Sequence, residues 1–235
     1  MAAQSSFTFG AKPRAVIFDV DGTLVDSAYL HTLAWWHAFR QAGCQVPMAR
    51  IHRLVGMTGQ QLVSELLPPG RDPDGDSGIL ASHSAVFATY WPSLTALDGA
   101  RDLLASCKEL GLRTVLATSA RERDLEELRR ALGADAFIDA ATSSKDAAKS
   151  KPEPDILLAA LDAVGVGVED AVFVGDAVWD MMAARRIGMP CIGVLCGGTG
   201  EAALRDAGAD EIYGGPDELL ENLDSSVIGQ LLQRV

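Results

Sequence analysis

The sequence has few cysteines and no cysteine motif that would bind a metal. Its four cysteines are scattered along 235 residues, and none belongs to a Cys-x-x-Cys pair or has a histidine at zinc-binding spacing. Structural zinc sites need such spacing, and disulfide frameworks are typical of short secreted chains. We therefore expect neither structural zinc nor disulfide bonds at Cys44, Cys107, Cys191 and Cys196.

Long hydrophobic runs are also missing. No segment reaches the roughly 20 apolar residues that a transmembrane helix needs. The amino-terminal stretch MAAQSSFTFGAKP lacks the basic start and the apolar run of a secretion signal. The sequence therefore predicts a cytoplasmic protein with no membrane partner.

Positive charge is scarce. The chain has 20 Lys and Arg against 32 Asp and Glu, which gives a net charge of −12 and a pI near 4.7. Because such a surface repels polyanions, nucleic acid is not expected as a partner. A small anionic substrate is still compatible with this charge, since one cation or lysine inside a pocket can outweigh distant surface charges. Composition leaves the oligomeric state open, and we expect a monomer or a homodimer.

Five short apolar runs rich in β-branched residues alternate with helical patterns. Such runs, each followed by an amphipathic segment, are typical of parallel strands buried on both faces. The predicted fold is therefore α/β, a doubly wound, Rossmann-like sheet that binds ligands at the carboxyl ends of its strands, where strand order reverses. The five runs are RAVIFDV (14–20), LRTVLAT (112–118), DAFIDA (135–140), AVFVGD (171–176) and CIGVLC (191–196).

The first two runs are separated by about ninety residues, far more than the single helix that a crossover connection requires. The intervening sequence contains several helical patterns. We predict that residues 26–96 form an inserted helical cap domain. Residues 1–25 and 97–235 then form the catalytic core, with the segment 98–111 as the true crossover helix.

Several polar residues fall at the carboxyl ends of the predicted strands. Asp19 and Asp21 end the first strand, Thr118 ends the second, and Asp176 ends the fourth. Since this fold class brings strand ends together, these side chains should converge. Crowded carboxylates repel each other unless a cation lies between them or one is protonated. Mg²⁺, which prefers oxygen ligands and can complete its shell with substrate phosphate, is the predicted cofactor.

The two aspartates of the DVDGT stretch suit different steps of a phosphoryl transfer. A metal-bound carboxylate can attack phosphorus and form an aspartyl phosphate, a role that fits Asp19. A second carboxyl two residues later can protonate the leaving alkoxide and then activate water, which fits Asp21. Gly22 lets the backbone approach the substrate closely, and Thr23 can fix the turn. The alternative is that both aspartates only cap a turn. In that case Lys151, in the later stretch KSKPEPDIL, would be a solvated surface residue.

Four motifs in this order resemble the haloacid dehalogenase-like superfamily, over about residues 14–223. DVDGT is similar to the first motif of that superfamily, Asp-x-Asp-x-Thr. In the second motif, TVLATSA, the resemblance implies that the Thr118 hydroxyl contacts phosphate, with the Ser119 amide as a helper. In the third, KSKPEPDIL, it implies that Lys151 balances the charge of the transferring phosphoryl group.

The fourth motif, VFVGDAVWDMMAARRIG, implies that Asp176 is a metal ligand. Asp180, one helical turn later, is assigned to the metal site through a bound water rather than as a direct ligand. One position departs from the pattern, because many relatives carry Ser or Thr where Ala177 stands. We expect weaker support of the metal, by roughly 10-fold or more, and not inactivity. The predicted metal site comprises Asp19, Asp21, Asp176 and Asp180.

Three residues of the predicted cap resemble positions that face the active site in cap-bearing relatives. His31 lies near the first motif, and Arg53 and Gly56 belong to the stretch HRLVGM. An arginine there could bind a second anionic group of the substrate. Each has a plain alternative, since His31 could pack on a helix face and Arg53 could lie on the surface. The predicted substrate-binding set is Gly22, His31, Arg53, Gly56, Thr118 and Ser119.

Four other functions of the superfamily compete with phosphatase activity. Its dehalogenases lack the second aspartate and the metal, so Asp21 together with Asp176 argues against that activity. Phosphonatase-type relatives use a cap lysine to form a Schiff base, and residues 26–96 contain no lysine. A β-phosphoglucomutase-like enzyme stays open because DSAYLHTLAW is similar to the mutases, although they too use a cap lysine. A non-catalytic phosphometabolite sensor is suggested by Ala177 alone.

We therefore predict a Mg²⁺-dependent phosphatase of a small phosphorylated metabolite, phosphoglycolate phosphatase-like, that acts through a phosphoaspartate. The mutase and the non-catalytic binder remain the alternatives.

Overall fold

A six-stranded parallel sheet forms the centre of the computed structural model, which describes residues 12–70 and 75–233. The order of the strands in the sheet is β3-β2-β1-β4-β5-β6, so strand order reverses between β1 and β4. The predicted doubly wound α/β fold is confirmed. Most of the amino-terminal stretch inspected for a secretion signal lies outside the described residues. The strands are β1 (Ala15–Phe18), β2 (Arg113–Ala117), β3 (Ala140–Thr142), β4 (Ala171–Gly175), β5 (Cys191–Val194) and β6 (Glu211–Tyr213).

Helices occupy most of the remaining described sequence. Five of the described helices lie between β1 and β2, and the fifth, α5, leads directly into β2 as the predicted crossover helix. None of the helices in residues 12–70 and 75–233 is long and apolar enough to cross a bilayer. The helices are α1 (Ala28–Gln41), α2 (Met48–His52), α3 (Gly59–Leu66), α4 (Asp76–Ala88), α5 (Ala100–Glu109), α6 (Glu122–Leu132), α7 (Asp155–Val164), α8 (Val178–Arg186), α9 (Glu201–Ala207), α10 (Pro216–Glu221) and α11 (Val227–Gln233).

Both faces of the sheet are buried. Val16 and Phe18 belong to an apolar cluster with α5, α6, α10 and α11, whereas Ala15 and Ile17 belong to a second cluster with α7, α8 and α9. Successive side chains of a strand point to opposite faces, which explains this alternation. The strand sequences are therefore continuously apolar rather than alternating, and this pattern made them recognisable.

The helices between β1 and β2 also bury an apolar cluster of their own. Trp35 and Phe39 of α1 pack there with Ile51 of α2, Leu62 of α3 and Ile79 of α4. Apolar burial of this kind is the main source of stability for an amphipathic helix. The arrangement supports the inserted unit, and its extent as a separate domain, residues 26–96, stays a prediction.

The third predicted strand was misplaced. Residues 135–137 form a short 3-10 turn, and the strand starts five residues later than predicted, at Ala140. The reason is Asp139, whose carboxylate accepts the Thr114 N–H at 3.0 Å and thereby occupies a position at the sheet edge. Strand β6 and helix α2 were not predicted, because three and five residues are too few to produce a periodic pattern.

The close packing of the start of α5 against α10 can be tested by mutation. Gly99 precedes the helix with a φ of +74°, and an added Cβ would lie 2.5 Å from the Cα atom of Asp217, in the first turn of α10. Gly99→Ala combines left-handed strain with a backbone clash, so it should lower the free energy of unfolding by at least about 1–2 kcal/mol.

Gly78→Ala is the matched control. Gly78 lies inside α4, where an added Cβ would meet no described atom within 4 Å. The change should be neutral or stabilise the protein by up to about 1 kcal/mol. Urea denaturation measures both variants, and a Gly99→Ala protein as stable as wild type would contradict the close approach of α5 and α10.

Candidate active site

Asp19 and Asp176 lie side by side at the carboxyl edge of the sheet. Asp19 directly follows β1 and Asp176 directly follows β4, and these neighbouring strands are paired with Phe18 opposite Val174. The Asp19 N–H extends the pairing by donating to the Val174 carbonyl at 2.9 Å. The two carboxylates therefore meet at the point where strand order reverses, which is where open α/β sheets bind ligands.

Asp180 joins them from the first turn of α8. One carboxylate oxygen from each of Asp19, Asp176 and Asp180 lies within 4.8 Å of the other two, and all three residues are buried. The second oxygen of Asp180 accepts the Ala177 N–H at 3.0 Å. This contact caps the start of α8, although Ala177 lacks the hydroxyl that many relatives carry.

Lys151 bridges two of these carboxylates. Its Nζ atom donates to Asp19 Oδ1 at 2.6 Å and to Asp180 Oδ1 at 2.7 Å, and its side chain is completely buried. Burial opposes the charged form, but the charges of Asp180 and Asp19 outweigh it and raise the pKa of Lys151. The ammonium group therefore stays protonated, and the alternative of a solvated surface lysine is excluded.

Lys151 neutralises only part of the negative charge of these carboxylates. Burial, together with the neighbouring charges of Asp180 and Asp19, raises the pKa of Asp176, and burial likewise raises the pKa of Asp19 although Lys151 opposes it. Three carboxylates and one ammonium group leave two negative charges when all are ionised. A divalent cation with oxygen ligands would balance this charge, so the donor set fits Mg²⁺ in both charge and chemistry.

Glycines let the backbone pack closely against the same carboxylates. A Cβ atom on Gly197 would lie 1.8 Å from Asp176 Oδ2, and one on Gly22 would lie 2.7 Å from the same oxygen. At Gly175 it would lie 2.6 Å from the Asp180 carboxylate. Thr23, the last residue of DVDGT, fixes Asp176 by donating to its Oδ1 atom at 3.1 Å. The close packing and the Thr23 hydrogen bond fix the orientation of the carboxylates, which suits a bound cation.

Asp21 has a different environment from Asp19. Its carboxylate accepts hydrogen bonds from Ser27 at 2.6 Å and Thr118 at 3.2 Å, and its Oδ1 lies 3.1 Å from His31 Nε2. Burial would raise its pKa, but the charge of His31 and these hydrogen bonds lower the pKa of Asp21 below its usual value. Among the described residues, the close acidic group contains Asp19, Asp176 and Asp180, whereas the Asp21 carboxylate is directed to these donors.

Two histidines support Asp21, and only one of them was predicted. An ionised carboxylate is purely an acceptor, so His31 donates its Nε2–H to Asp21, while His31 Nδ1 lies 3.2 Å from His83 Nε2. His31 stacks on Phe87 at 3.8 Å, and His83 stacks on Trp35 at 3.9 Å. Burial, with the charges of His31 and Arg121, lowers the pKa of His83, so this ring is neutral.

A small cavity of about 80 Å³ is lined by Asp19, Asp21 and His31. Ser119 closes one side of it by donating to the Gly56 carbonyl at 2.9 Å. Trp35, His83, Arg121 and Asp124 also line it and were not predicted as site residues. A polar residue on an otherwise apolar helix stripe is a sequence signal that could have identified two of them. His83 lies on the apolar stripe of α4 with Ile79 and Phe87. Asp124 lies on the apolar stripe of α6, one turn before Leu128. Of the predicted residues, Asp19, Asp21, His31, Gly56, Thr118 and Ser119 line the cavity.

Arg53 is not brought to this cavity. It is exposed and lines a second cavity of about 600 Å³, which also contacts Asp176 and Trp179. Its carbonyl accepts the Trp179 indole N–H at 3.1 Å, which ties the segment after α2 to α8. Of the three cap residues predicted to bind substrate, His31 and Gly56 are therefore near Asp21, and Arg53 lies elsewhere.

Comparisons with known proteins agree with this geometry. A phosphoglycolate phosphatase from Rhodospirillum rubrum is 31% identical over 211 residues, which cover 86% of this chain and 87% of that protein. The crystal structure of a hydrolase from Pseudomonas syringae aligns with a TM-score of 0.86 at 32% identity, covering 90% of this chain and 98% of that one. A β-phosphoglucomutase from Clostridium difficile, at 18% identity and a TM-score of 0.81 over 94% of this chain and all of that one (100%), shares the fold. Residues 13–188 match the haloacid dehalogenase-like hydrolases, and the chain belongs to that family.

Proposed function

We propose that this hydrolase is a Mg²⁺-dependent phosphatase that cleaves a small phosphorylated metabolite through a phosphoaspartate on Asp19, as a phosphoglycolate phosphatase-like enzyme. Hydrolysis of a phosphoric monoester is the activity that the family and its phosphatase members support. The observation that carries the proposal is the placement of Asp19, which is bridged by Lys151, adjoins Asp176 and Asp180, and lines the cavity that contains Asp21.

Asp19, Asp176 and Asp180 would hold the Mg²⁺ ion. Once bound, it supplies positive charge next to the transferring phosphoryl group. Lys151 adds a fixed ammonium group on the Asp180 side of Asp19 and keeps one Asp19 oxygen in place. The carboxylate of Asp21 is held by other donors, so a metal contact of this residue would have to come from another of its atoms.

In the first step, the Asp19 oxygen that is not held by Lys151 attacks phosphorus. A new bond from this oxygen to phosphorus forms while the bond to the leaving oxygen breaks, and the leaving oxygen keeps the electron pair. The Thr118 hydroxyl and the Ser119 amide, next to Asp19 in the cavity, are the proposed contacts to the phosphoryl oxygens. The Thr118 hydroxyl now donates to Asp21, so the substrate would compete for it. The Ser119 hydroxyl donates to the Gly56 carbonyl, which leaves the Ser119 amide as the proposed contact.

Asp21 is the proposed proton carrier. It gives a proton to the leaving alkoxide and later takes one from the water that attacks the phosphoaspartate, which restores the Asp19 carboxylate and releases inorganic phosphate. In the substrate-free arrangement Asp21 is ionised, so it takes up a proton from solvent before the first turnover. In later turnovers the proton that it takes from the attacking water is the one that it gives to the next leaving alkoxide. His31 positions Asp21 through the contact between its Nε2 atom and Oδ1 of Asp21.

Hydrolysis is favoured over mutase activity by the composition of the cap helices. No lysine lies between residues 26 and 96 to hold a sugar phosphate after transfer, and the predicted second anion site at Arg53 is not in the cavity. The likeness to β-phosphoglucomutase concerns the fold alone. The non-catalytic alternative, based on Ala177, is weakened because the Ala177 N–H is bound by Asp180 and the acidic group is intact.

Replacement of Asp19 and Asp21 separates the two chemical roles. With p-nitrophenyl phosphate and Mg²⁺, Asp19→Asn should give neither turnover nor a rapid burst, because the nucleophile is gone. Asp21→Asn should slow steady-state turnover by about 10²- to 10⁴-fold. It should still release one equivalent of p-nitrophenolate rapidly, because that leaving group needs no proton. Stopped-flow absorbance measures both phases, and an Asp19→Asn enzyme retaining a tenth of wild-type turnover would disprove the nucleophile assignment.

Replacement of one carboxylate that is proposed to hold Mg²⁺ should abolish the stabilisation of the protein by Mg²⁺. At 100 times its Kd, Mg²⁺ should stabilise the wild type by about 2.7 kcal/mol, or about 5–10 °C in melting temperature for a chain of this size. Asp176→Asn removes one of the crowded charges, so it should melt higher than wild type without metal and lose the response to Mg²⁺.

Scanning fluorimetry provides the measurement, and Asp102→Asn is the matched control. Asp102 lies exposed on α5, outside the acidic group, and this variant should keep the wild-type response. A full Mg²⁺ response in Asp176→Asn would place the ion elsewhere.

Hydrolase and mutase activities predict different products. When β-glucose 1-phosphate is supplied with a trace of the bisphosphate, a phosphatase can release inorganic phosphate but does not form glucose 6-phosphate. A coupled dehydrogenase assay detects glucose 6-phosphate, and a phosphate assay run in parallel detects hydrolysis. Accumulation of glucose 6-phosphate in excess of the bisphosphate would establish the mutase instead.

A further inference from the structure

Asp124 is a buried acidic residue of the catalytic cavity without a defined role. It lies in the first turn of α6, is 6% exposed and lines the cavity beside Asp21 and His31. Its Oδ1 atom is inaccessible to solvent and has no hydrogen-bond partner among the described residues. Buried carboxylate oxygens normally have a partner because removal from water is costly. Because Asp124 lines the cavity, an atom of the substrate could provide that partner after a rotation of the carboxyl group about its terminal torsion.

Helix capping does not account for Asp124. The start of α6 has no side-chain capping hydrogen bond, and residue 121, which precedes the helix, is an arginine. A negative charge in the first turn is favoured by the helix dipole, but this effect leaves the oxygen unpaired. Within the described residues Asp124 also forms no ion pair, although the charges of His31, Arg123 and Arg121 act on it. Burial dominates and raises its pKa.

The residues that line the cavity near Asp124 disfavour a substrate whose leaving group carries a second negative charge. Asp21 and Asp124 are both carboxylates, and the His83 ring is neutral and stacked on Trp35. Arg121, the one arginine among the residues lining this cavity, is exposed at its rim. A leaving group with hydroxyl or amino hydrogens could donate to Asp124 while its carbon skeleton contacts the rings. A leaving group with its own carboxylate would be repelled.

We propose that Asp124 selects the leaving group, by accepting a hydrogen bond from an alcohol that carries further hydroxyl or amino groups and no second anionic group. The substrate class is then the monophosphates of small polyhydroxylated or amino alcohols. This inference rests on the proposed phosphatase function and separates the chain from an enzyme whose preferred substrate is 2-phosphoglycolate.

Substrate discrimination provides the test. Glycerol 1-phosphate and 2-phosphoglycolate are similar in size, and p-nitrophenyl phosphate reports phosphoryl transfer without a donor group. Wild type should show a higher kcat/KM for glycerol 1-phosphate than for 2-phosphoglycolate. Asp124→Ala should lower kcat/KM for glycerol 1-phosphate by about 10- to 100-fold, the effect of losing a hydrogen bond to a charged group. It should change p-nitrophenyl phosphate hydrolysis by less than about 3-fold.

Two further variants separate charge from hydrogen bonding. Asp124→Asn removes the repulsion while keeping nearly the same shape, so kcat/KM for 2-phosphoglycolate should rise. Glu122→Gln is the matched control, because Glu122 is an exposed acidic residue in the same turn of α6 and does not line the cavity. It makes the same change in net charge and should leave the preference unaltered. An equal loss on all three substrates in Asp124→Ala would overturn the inference.

Binding distinguishes failure of this inference from failure of the proposed function. In an Asp19→Asn background, calorimetry can compare intact glycerol 1-phosphate and 2-phosphoglycolate with and without Asp124→Asn. Suppose that the wild-type enzyme hydrolyses no monophosphate, but that the preference for binding glycerol 1-phosphate depends on Asp124. This result would refute the phosphatase and retain the selectivity. Turnover without any effect of Asp124 on preference would refute the selectivity and retain the phosphatase.

Discussion

The site depends on the neutralisation of carboxylates that the fold forces together above β1 and β4. Asp19, Asp176 and Asp180 are all buried, and Lys151 supplies one positive charge among them. Loss of one partner from a buried ion pair typically costs about 3–5 kcal/mol, so Lys151 supports the fold as well as the chemistry. Burial and the neighbouring carboxylate charges raise the pKa of Asp19 and Asp176, and a divalent cation would relieve the same excess of negative charge. In the proposed function, stability and catalysis would therefore depend on one interaction.

Aspartates of the same sequence motif acquire different chemistry from their neighbours. Asp19 faces an ammonium group and two carboxylates, which suits a nucleophile that must be ionised beside a cation. Asp21 is two residues away but faces hydroxyl groups and a histidine, which lower its pKa, so it has to gain a proton during the proposed reaction before it can act as an acid. The first of these environments comes from strand ends and α8, and the second comes largely from α1. The difference between the two environments is thus a consequence of topology and not of residue type.

Sequence alone predicted the sheet, the crossover helix and the convergence of Asp19 with Asp176, because continuous apolar strands and polar strand ends are local patterns. It misplaced β3, where the Asp139 side chain occupies the edge position that the pattern assigned to a strand. His83 and Asp124 were missed for another reason. Each lies on an otherwise apolar helix stripe, which is a local signal, but its position in the same cavity as Asp21 depends on how α4 and α6 are placed in the fold. Arg53 was selected from a loop resemblance, and its exposed position near α8 depends on how that loop packs.

In the proposed function, phosphoryl chemistry and leaving-group recognition would come from different parts of the chain. Asp19 and Asp176 directly follow paired strands, where a small displacement would disturb several buried charges at once. The groups proposed to face the leaving alcohol, Trp35, His83 and Asp124, lie on helices, where a side chain can be exchanged without altering strand register. Under this proposal a change of substrate would need substitutions on α1, α4 and α6, and the carboxylates at the sheet edge could stay as they are.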